Sequence, residues 1–240
     1  MLDPIIADVV DRQKHLEADI LQTTPQLESD DLPNSRALRH DAARRLLRVR
    51  QRQALTHVLA APPAPGETVH LLSAAKWDFW TWVPVMLDWI GHTEKLRCST
   101  WTLNRQTAVE LFELWDAGRI GSVDFLTGLY FKRRETAVYT YLVNGIRKRG
   151  GRYRAFRNHA KVLLLANPQA DAYITVEGSA NLTANPRWEQ YAITNHRPLW
   201  EFHRSWFDEM ARTIPSDPSA IPESNQSTAT KSSTASGSCG

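Results

Sequence analysis

The chain has almost no cysteine and no long hydrophobic run. Its 240 residues include only Cys98 and Cys239, so neither a disulfide framework nor a cysteine-based zinc site is available. The longest apolar stretches, such as Val162 to Ala166, fall far short of the about 18 to 20 residues that cross a bilayer. The N-terminus carries Asp3 where a secretory signal would be basic. We therefore expect a cytoplasmic protein without stable membrane association.

The composition is that of a folded protein with an uneven distribution of charge. Hydrophobic residues make up 42% and charged residues 23% of the chain, and the net charge is only +3. This balance excludes a disordered or fibrous protein. Ten cations between residues 132 and 161 face a single acid, Glu135, and a second excess of arginine lies at 36–52. Such density indicates a polyanionic partner, although a solvated basic face is an equally ordinary explanation.

Periodicity and proline content predict the organisation of the chain. Helices are predicted at 3–20 and about 34–60, and the proline-rich segment 61–66 indicates a boundary near residue 62. Strands are predicted near 69–73, 96–101, 122–126, 152–156, 161–165, 173–176 and 191–194, and helices near 79–90, 105–117, 135–147 and 199–213. We expect an N-terminal helical arm (1–62), an α/β domain with a mixed β-sheet flanked by helices (63–214) and a disordered tail (215–240).

Four tryptophans crowd one segment, at positions 77, 80, 82 and 89. Aromatic side chains on a basic surface can stack on nucleobases. However, Trp82, Val85 and Trp89 share one face of a predicted helix, a spacing more typical of core packing. We therefore interpret these tryptophans as core residues.

One set of residues carries a chemical signal. His159 and Lys161 are two positions apart, so in a strand their side chains leave the same face of the sheet. A neutral imidazole is available as a nucleophile near pH 7, and a lysine beside it offers a point charge to a phosphate. After two further strands, Gly178 permits a close backbone approach, and Ser179 and Asn181 offer neutral donors to anionic oxygens. Singly, each has an ordinary structural explanation; together they indicate a phosphate site with a nucleophile.

These residues resemble the motif of the phospholipase D superfamily: His-x-Lys, four residues, Asp, then Gly-Ser-x-Asn after a hairpin, with an acidic residue downstream. The resemblance implies that His159 is the nucleophile or the acid. It implies that Lys161 and Asn181 bind nonbridging phosphate oxygens, that Ser179 donates a hydrogen bond near them, and that Glu189 orients a histidine. It also implies a phosphohistidine intermediate, with no metal and no cofactor.

The sequence departs from that motif in two ways. Ala166 stands where the family has aspartate, which weakens the case for full activity. The chain also contains one motif copy, since none of its other seven histidines is followed two residues later by lysine. Single-motif members of the family form homodimers, so the resemblance implies a homodimer with one composite site.

The resemblance and the charge pattern together predict a metal-independent phosphodiesterase, specifically a nuclease. Nucleic acid is the expected partner, DNA in preference to RNA, and the cations expected to bind its backbone are Arg133, Arg134, Arg152, Arg154 and Arg157. Two alternatives stay open. The chain could be a catalytically degenerate nucleic-acid-binding module or, less favoured, a phospholipid headgroup hydrolase.

Overall fold

The computed structural model describes residues 35–183 and 186–216, with side chains from residue 45 onward. Within this range, α1 spans Ser35–Val58, α2 Trp82–Ile90, α3 Arg105–Asp116, α4 Leu129–Arg134, α5 Thr136–Lys148 and α6 Arg197–Thr213. The strands are β1 (Thr68–Ala74), β2 (Leu96–Thr100), β3 (Val123–Gly128), β4 (Arg152–Phe156), β5 (Val162–Asn167), β6 (Ala172–Gly178) and β7 (Trp188–Asn195). Short 3-10 helices lie at Phe79–Thr81 and Pro168–Ala170.

The seven strands form one mixed sheet in the order β1-β7-β6-β5-β2-β3-β4. Strands β2, β3 and β4 run parallel to one another. Strand β5 is antiparallel to β2, β5 to β7 form an antiparallel meander, and β1 pairs antiparallel with β7. The parallel half is connected through helices α3 to α5, as parallel connections require.

Apolar side chains cover both faces of the sheet. The larger core contains Trp80, Trp82, Phe125 and Leu163, all fully buried, and the smaller one joins Leu164 to Trp200 and Phe207 of α6. Of the four clustered tryptophans, Trp77, Trp80 and Trp82 are buried and Trp89 packs against the larger core, which confirms their interpretation as core residues.

The described residues from Leu46 onward belong to one compact unit that contains the sheet. Leu55 and Leu59 of this unit are buried in the larger core. They precede the predicted boundary near residue 62, and the division into arm, domain and tail stays a prediction. The predicted helix at 3–20 and the tail from residue 217 lie outside the described residues.

The predicted mixed sheet with flanking helices is confirmed, with differences at the element ends. The predicted helix 79–90 begins as a 3-10 turn, because the Asp78 side chain accepts from the Thr81 backbone and starts a separate short element. Helix α4 was not predicted, since its six residues are too few to show a periodicity. His159 and Lys161 precede β5 and do not lie within a strand. No helix of the described segments is long and apolar enough to span a bilayer.

Candidate active site

One edge of the sheet collects the five candidate catalytic residues, His159, Lys161, Ser179, Asn181 and Glu189. The carboxyl ends of β2, β3 and β4 meet the start of β5, the end of β6 and the start of β7 at this edge, because β5 and β7 run antiparallel to their neighbours. Along the sheet order, the edge presents Glu189, Ser179, His159 with Lys161, Trp101, Tyr130 and Arg157. We call this the β5 edge.

A buried hydrogen-bond network fixes the segment that carries His159. The Asn158 amide donates to Ser99 Oγ at 2.9 Å, and Asn158 Oδ1 accepts from the Ala160 backbone at 3.0 Å. The Ser99 hydroxyl in turn donates to the Ala160 carbonyl at 3.0 Å. Asn158 and Ser99 are both buried, whereas His159, between Asn158 and Ala160 in the chain, is exposed. The network therefore holds the backbone and presents the imidazole to solvent.

Lys161 lies directly against that imidazole. Its ammonium is 2.8 Å from His159 Nδ1, 3.1 Å from Nε2 and 2.7 Å from the His159 carbonyl oxygen. A ring nitrogen that accepts from an ammonium must carry a free lone pair, so this contact suits a neutral imidazole. Lys161 is only 6% exposed. Burial lowers the pKa of its ammonium below the ordinary lysine value, and the charge of Glu189 opposes that shift only in part.

Glu189 and Ser179 form the next group along the edge. Ser179 Oγ donates to Glu189 Oε2 and accepts from the Gln190 backbone at 3.1 Å. Glu189 is buried, since only 8% of the residue is exposed. Gly178 brings β6 close to β7, since a Cβ there would lie 3.0 Å from the Gln190 carbonyl oxygen. A side chain at 178 would therefore crowd the strand pairing that precedes Ser179.

Asn181 lies on a segment that crosses the β5 edge. Ser179 follows β6, and Leu182 pairs with Leu103, which follows β2. Because β5 lies between β6 and β2, residues 179–182 pass over the end of the sheet where Lys161 lies. The Asn181 carbonyl accepts from the Phe79 backbone at 3.3 Å, while its Oδ1 is buried and finds no hydrogen-bond partner among the described residues. Buried polar atoms are nearly always paired, so this oxygen is suited to a ligand group that donates a hydrogen bond, whereas a phosphate oxygen would accept from the Nδ2 of the same amide.

Two aromatic residues at the same edge were missed by the sequence reasoning. Trp101 and Tyr130 stack with ring centroids 5.2 Å apart and planes within 3°, and the Trp101 ring is 5.9 Å from the His159 ring. They follow β2 and β3, two adjacent parallel strands whose carboxyl ends meet at one edge. Their positions directly after these strands were the available signal.

The five candidate arginines divide into two groups. Arg133 and Arg157 are exposed and line a cavity of about 430 Å³ together with Trp101, Tyr130 and His159. Exposed Arg134 lies over the Tyr130 ring, 5.8 Å from its centroid. Arg152 instead binds Asp124 and Asp208, and Arg154 donates to the carbonyls of residues 153 and 211. Substrate binding by Arg152 and Arg154 stays a prediction. It is not favoured, because donors of both guanidinium groups already bind acceptors within the protein.

Ala166 lies far from the β5 edge. It is near the opposite end of β5, five positions from Lys161, which corresponds to about 16 Å of strand. Thr93 Oγ1 donates to its carbonyl and accepts from its amide, both at 3.0 Å. A side chain at 166 could not touch a phosphate at Lys161, so the substitution removes no group from the candidate site.

No cluster of three His, Cys, Asp or Glu side chains in the described part of the chain is arranged to hold a metal ion. The chemically active groups of the β5 edge are one imidazole, one buried ammonium, one carboxylate and neutral donors. Cys98 is fully buried, and burial raises the pKa of its thiol well above the ordinary value, so it offers no thiolate.

Comparisons with known proteins give matches only among solved structures. No family model matches the chain, and no curated protein does. The chain is similar to the phospholipase D family member Nuc from Salmonella typhimurium, with a TM-score of 0.48 and 15% identity over 63% of this chain and 99% of that one. It is also similar to NucT from Helicobacter pylori, with a TM-score of 0.48 and 14% identity over 63% of this chain and 100% of that one. A third similar structure is polyphosphate kinase from Porphyromonas gingivalis, with a TM-score of 0.45 and 14% identity over 64% of this chain and 27% of that one.

Proposed function

We propose that the chain is a metal-independent phosphodiesterase, specifically a nuclease, that uses His159 as a covalent nucleophile. The observation that carries this proposal is the contact between the buried Lys161 ammonium and the exposed His159 ring, 2.8 Å from Nδ1. This arrangement puts a nucleophile and a poorly hydrated cation within reach of one phosphate. The Asn181 side chain lies on the segment that crosses the same edge, where its Nδ2 would donate to a phosphate oxygen, and the nearby Glu189 carboxylate would hold a histidine.

The proposed reaction has two steps. An imidazole nitrogen of His159 attacks phosphorus, a P–N bond forms, and the P–O bond to the leaving group breaks as that oxygen takes a proton from a general acid. Water then attacks the phosphohistidine, the P–N bond breaks, and the water proton returns to the acid. Splitting one difficult displacement in this way is the general benefit of covalent catalysis.

Lys161 and Asn181 would stabilise the charge on the nonbridging oxygens. An ammonium shielded from water interacts more strongly with an anion than a fully hydrated one does. Burial disfavours the charged form of Lys161 and lowers the pKa of its ammonium, and a bound phosphate would offset that effect. Glu189 would then orient a histidine through its second ring nitrogen, and Ser179 would fix the carboxylate.

The general acid is proposed to come from a second copy of the chain. Two other described histidines have partners of their own: His203 on α6 faces Glu177, and His92 lies beside Asn167 near the far end of β5. A twofold axis through the β5 edge would place two copies of His159 on opposite sides of one phosphorus atom. One would attack while the other protonates the leaving oxygen.

Nucleic acid is the proposed substrate because of the charge around the site. Arg133 and Arg157 are exposed and share the His159 cavity, and Arg134 is beside it. Guanidinium groups bind phosphates in pairs of hydrogen bonds, and neutralising several backbone phosphates releases counterions. DNA is the expected polymer. The test measures cleavage of DNA in excess EDTA by wild type and by His159→Asn. The matched control is Phe202→Ala, which replaces an exposed side chain on α6.

Wild type and the control should cut and His159→Asn should not. Cleavage that survives His159→Asn would remove this mechanism. A protein that binds DNA without turnover would instead be a degenerate binding module, and release of phospholipid headgroups without DNA cleavage would identify the substrate as lipid.

Subunit mixing tests the composite site. If each site needs two copies of His159, adding His159→Asn protein to wild type should lower activity per wild-type chain as mixed dimers form. Activity per wild-type chain that stays constant on mixing, or a monomer by light scattering that still turns over, would contradict the shared site.

A further inference from the structure

The β5 edge contains a built aromatic platform that the proposed reaction does not use. Trp101 and Tyr130 stack almost parallel, so each ring has one outer face, and Arg134 lies over that of Tyr130, 5.8 Å from the ring centroid. Tyr130 is 47% exposed although it is aromatic. One cavity, of about 430 Å³, adjoins the pair together with His159, and another of about 300 Å³ adjoins it together with Asn104 and Arg105. The stacked pair therefore forms a wall between two recesses.

The position of the platform is fixed by the backbone. Gly128 ends β3, and a Cβ there would lie 2.6 Å from Trp101 Cδ1 and 3.0 Å from the Asn158 carbonyl oxygen. Only glycine lets the indole edge lie against this strand end. The same approach places the indole 5.9 Å from the His159 ring, centroid to centroid. The platform and the nucleophile are thus tied to the same point of the sheet.

We propose that Trp101 and Tyr130 bind an unstacked nucleobase next to the phosphate attacked by His159, so that the substrate is single-stranded nucleic acid. This inference rests on the proposed function and names its substrate class. A base on the platform would have its own phosphate near His159, and Arg133 and Arg157 lie in the same cavity to receive the adjoining backbone.

The chemistry of the rings explains the preference for single strands. Every nucleobase has a π face, so aromatic platforms bind bases with little regard to sequence. In a duplex, neighbouring bases already cover both faces of each base, so the platform can accept a base only after unstacking it. A cavity of this size also suits a nucleoside, since small-molecule sites begin at about 300 Å³.

Equilibrium binding tests the inference separately from turnover. Trp101→Ala and Tyr130→Ala are each combined with His159→Asn, so that the probes are not cut. The probes are labelled oligonucleotides of about 12 nucleotides: single-stranded DNA, single-stranded RNA, duplex DNA, and a single strand of abasic residues. Either platform substitution should raise Kd for the base-containing single strands by about 5- to 150-fold and leave Kd for the abasic strand unchanged within error.

Controls separate stacking from folding. Trp101→Phe keeps a π face and should restore most of the affinity, and Phe202→Ala removes a more exposed aromatic side chain from α6 and should change nothing. Gly128→Ala should reproduce the base-specific loss by displacing the indole. Thermal unfolding of each variant shows whether it is folded. If Trp101→Ala does not fold, Tyr130→Ala, which removes an exposed side chain, tests the platform instead.

The outcomes separate the two proposals. Equal losses for abasic and base-containing strands, or duplex bound at least as tightly as single strands, would overturn the platform while leaving catalysis intact. Base-dependent binding by a wild-type protein that never cleaves would overturn the nuclease and leave the platform. The DNA and RNA probes show which polymer supplies the base.

Discussion

Replacing Lys161 with methionine should separate the functional role of this residue from a structural one. The ammonium is buried, and burial lowers its pKa below the ordinary 10.5 even though Glu189 is near. A cation whose folded pKa is depressed costs folding free energy when it is charged. Methionine keeps most of the volume of the lysine side chain and removes its charge, together with its hydrogen bonds to His159.

The two effects have opposite signs. Loss of one preorganised positive donor typically lowers kcat by about 100- to 1000-fold, because the charge on the phosphate oxygens is no longer stabilised. Folding stability should stay the same or rise, since the cost of burying the charge disappears. Turnover of a single-stranded oligonucleotide in EDTA and urea unfolding at pH 7 measure the two quantities on the same preparation.

The pH dependence supplies an internal check. Between the lowered folded pKa and 10.5, the unfolded chain holds a proton at Lys161 that the folded chain has lost, so wild-type stability should rise with pH relative to Lys161→Met. A methionine variant that is less stable than wild type by more than about 2 kcal/mol, with kcat unchanged, would make Lys161 a structural residue and refute the reasoning.

Three further predictions concern carboxylates. Asp124→Asn should lower the free energy of unfolding by about 3–5 kcal/mol in urea, because it leaves buried Arg97 without its main counter-charge; a loss below about 1 kcal/mol would contradict this. Burial opposes ionisation of Asp208, but the hydrogen bond from Arg152 and nearby cations still lower its pKa below 3.8. The contribution of ionised Asp208 to folding stability is therefore complete above pH 3.8 and is lost as the pH falls through the folded pKa. Asp208→Asn should therefore lose less stability than wild type on acidification, and an identical acid profile of the two proteins would refute this prediction. Glu189→Gln should lower kcat by about 100-fold with KM unchanged, through misorientation of the histidine; a change confined to KM would assign Glu189 to binding.

Periodicity was sufficient to predict the fold because the strands and helices are long enough to show it. All seven predicted strands are present, as are the predicted helices that fall within the described residues. The six-residue helix α4 escaped prediction because it is too short to show a periodicity. The position of His159 in a loop before β5 also escaped prediction, because tertiary hydrogen bonds of Asn158 and Ser99 decide the backbone there.

The candidate site could be predicted only in part. Residues that are close in sequence, such as His159 and Lys161, form a recognisable spacing. The Trp101 and Tyr130 pair could not be recognised, since its members meet only when β2 and β3 pair in parallel. The same limit applies to Arg152, whose carboxylate partners at 124 and 208 come from two other elements. Charge density along the chain does not show which cations are already neutralised by ion pairs.

Trapping of a covalent intermediate tests the central claim most directly. Wild-type protein is mixed in EDTA with a single-stranded substrate labelled at phosphorus, and the reaction is quenched in alkali within the first turnovers. The label should then be found on a peptide that contains residue 159. The bond should be stable to alkali and labile to acid, as a phosphoramidate is, and His159→Asn should carry no label. Cleavage by wild type with no label on this peptide, or equal labelling of His159→Asn, would contradict nucleophilic catalysis by this imidazole.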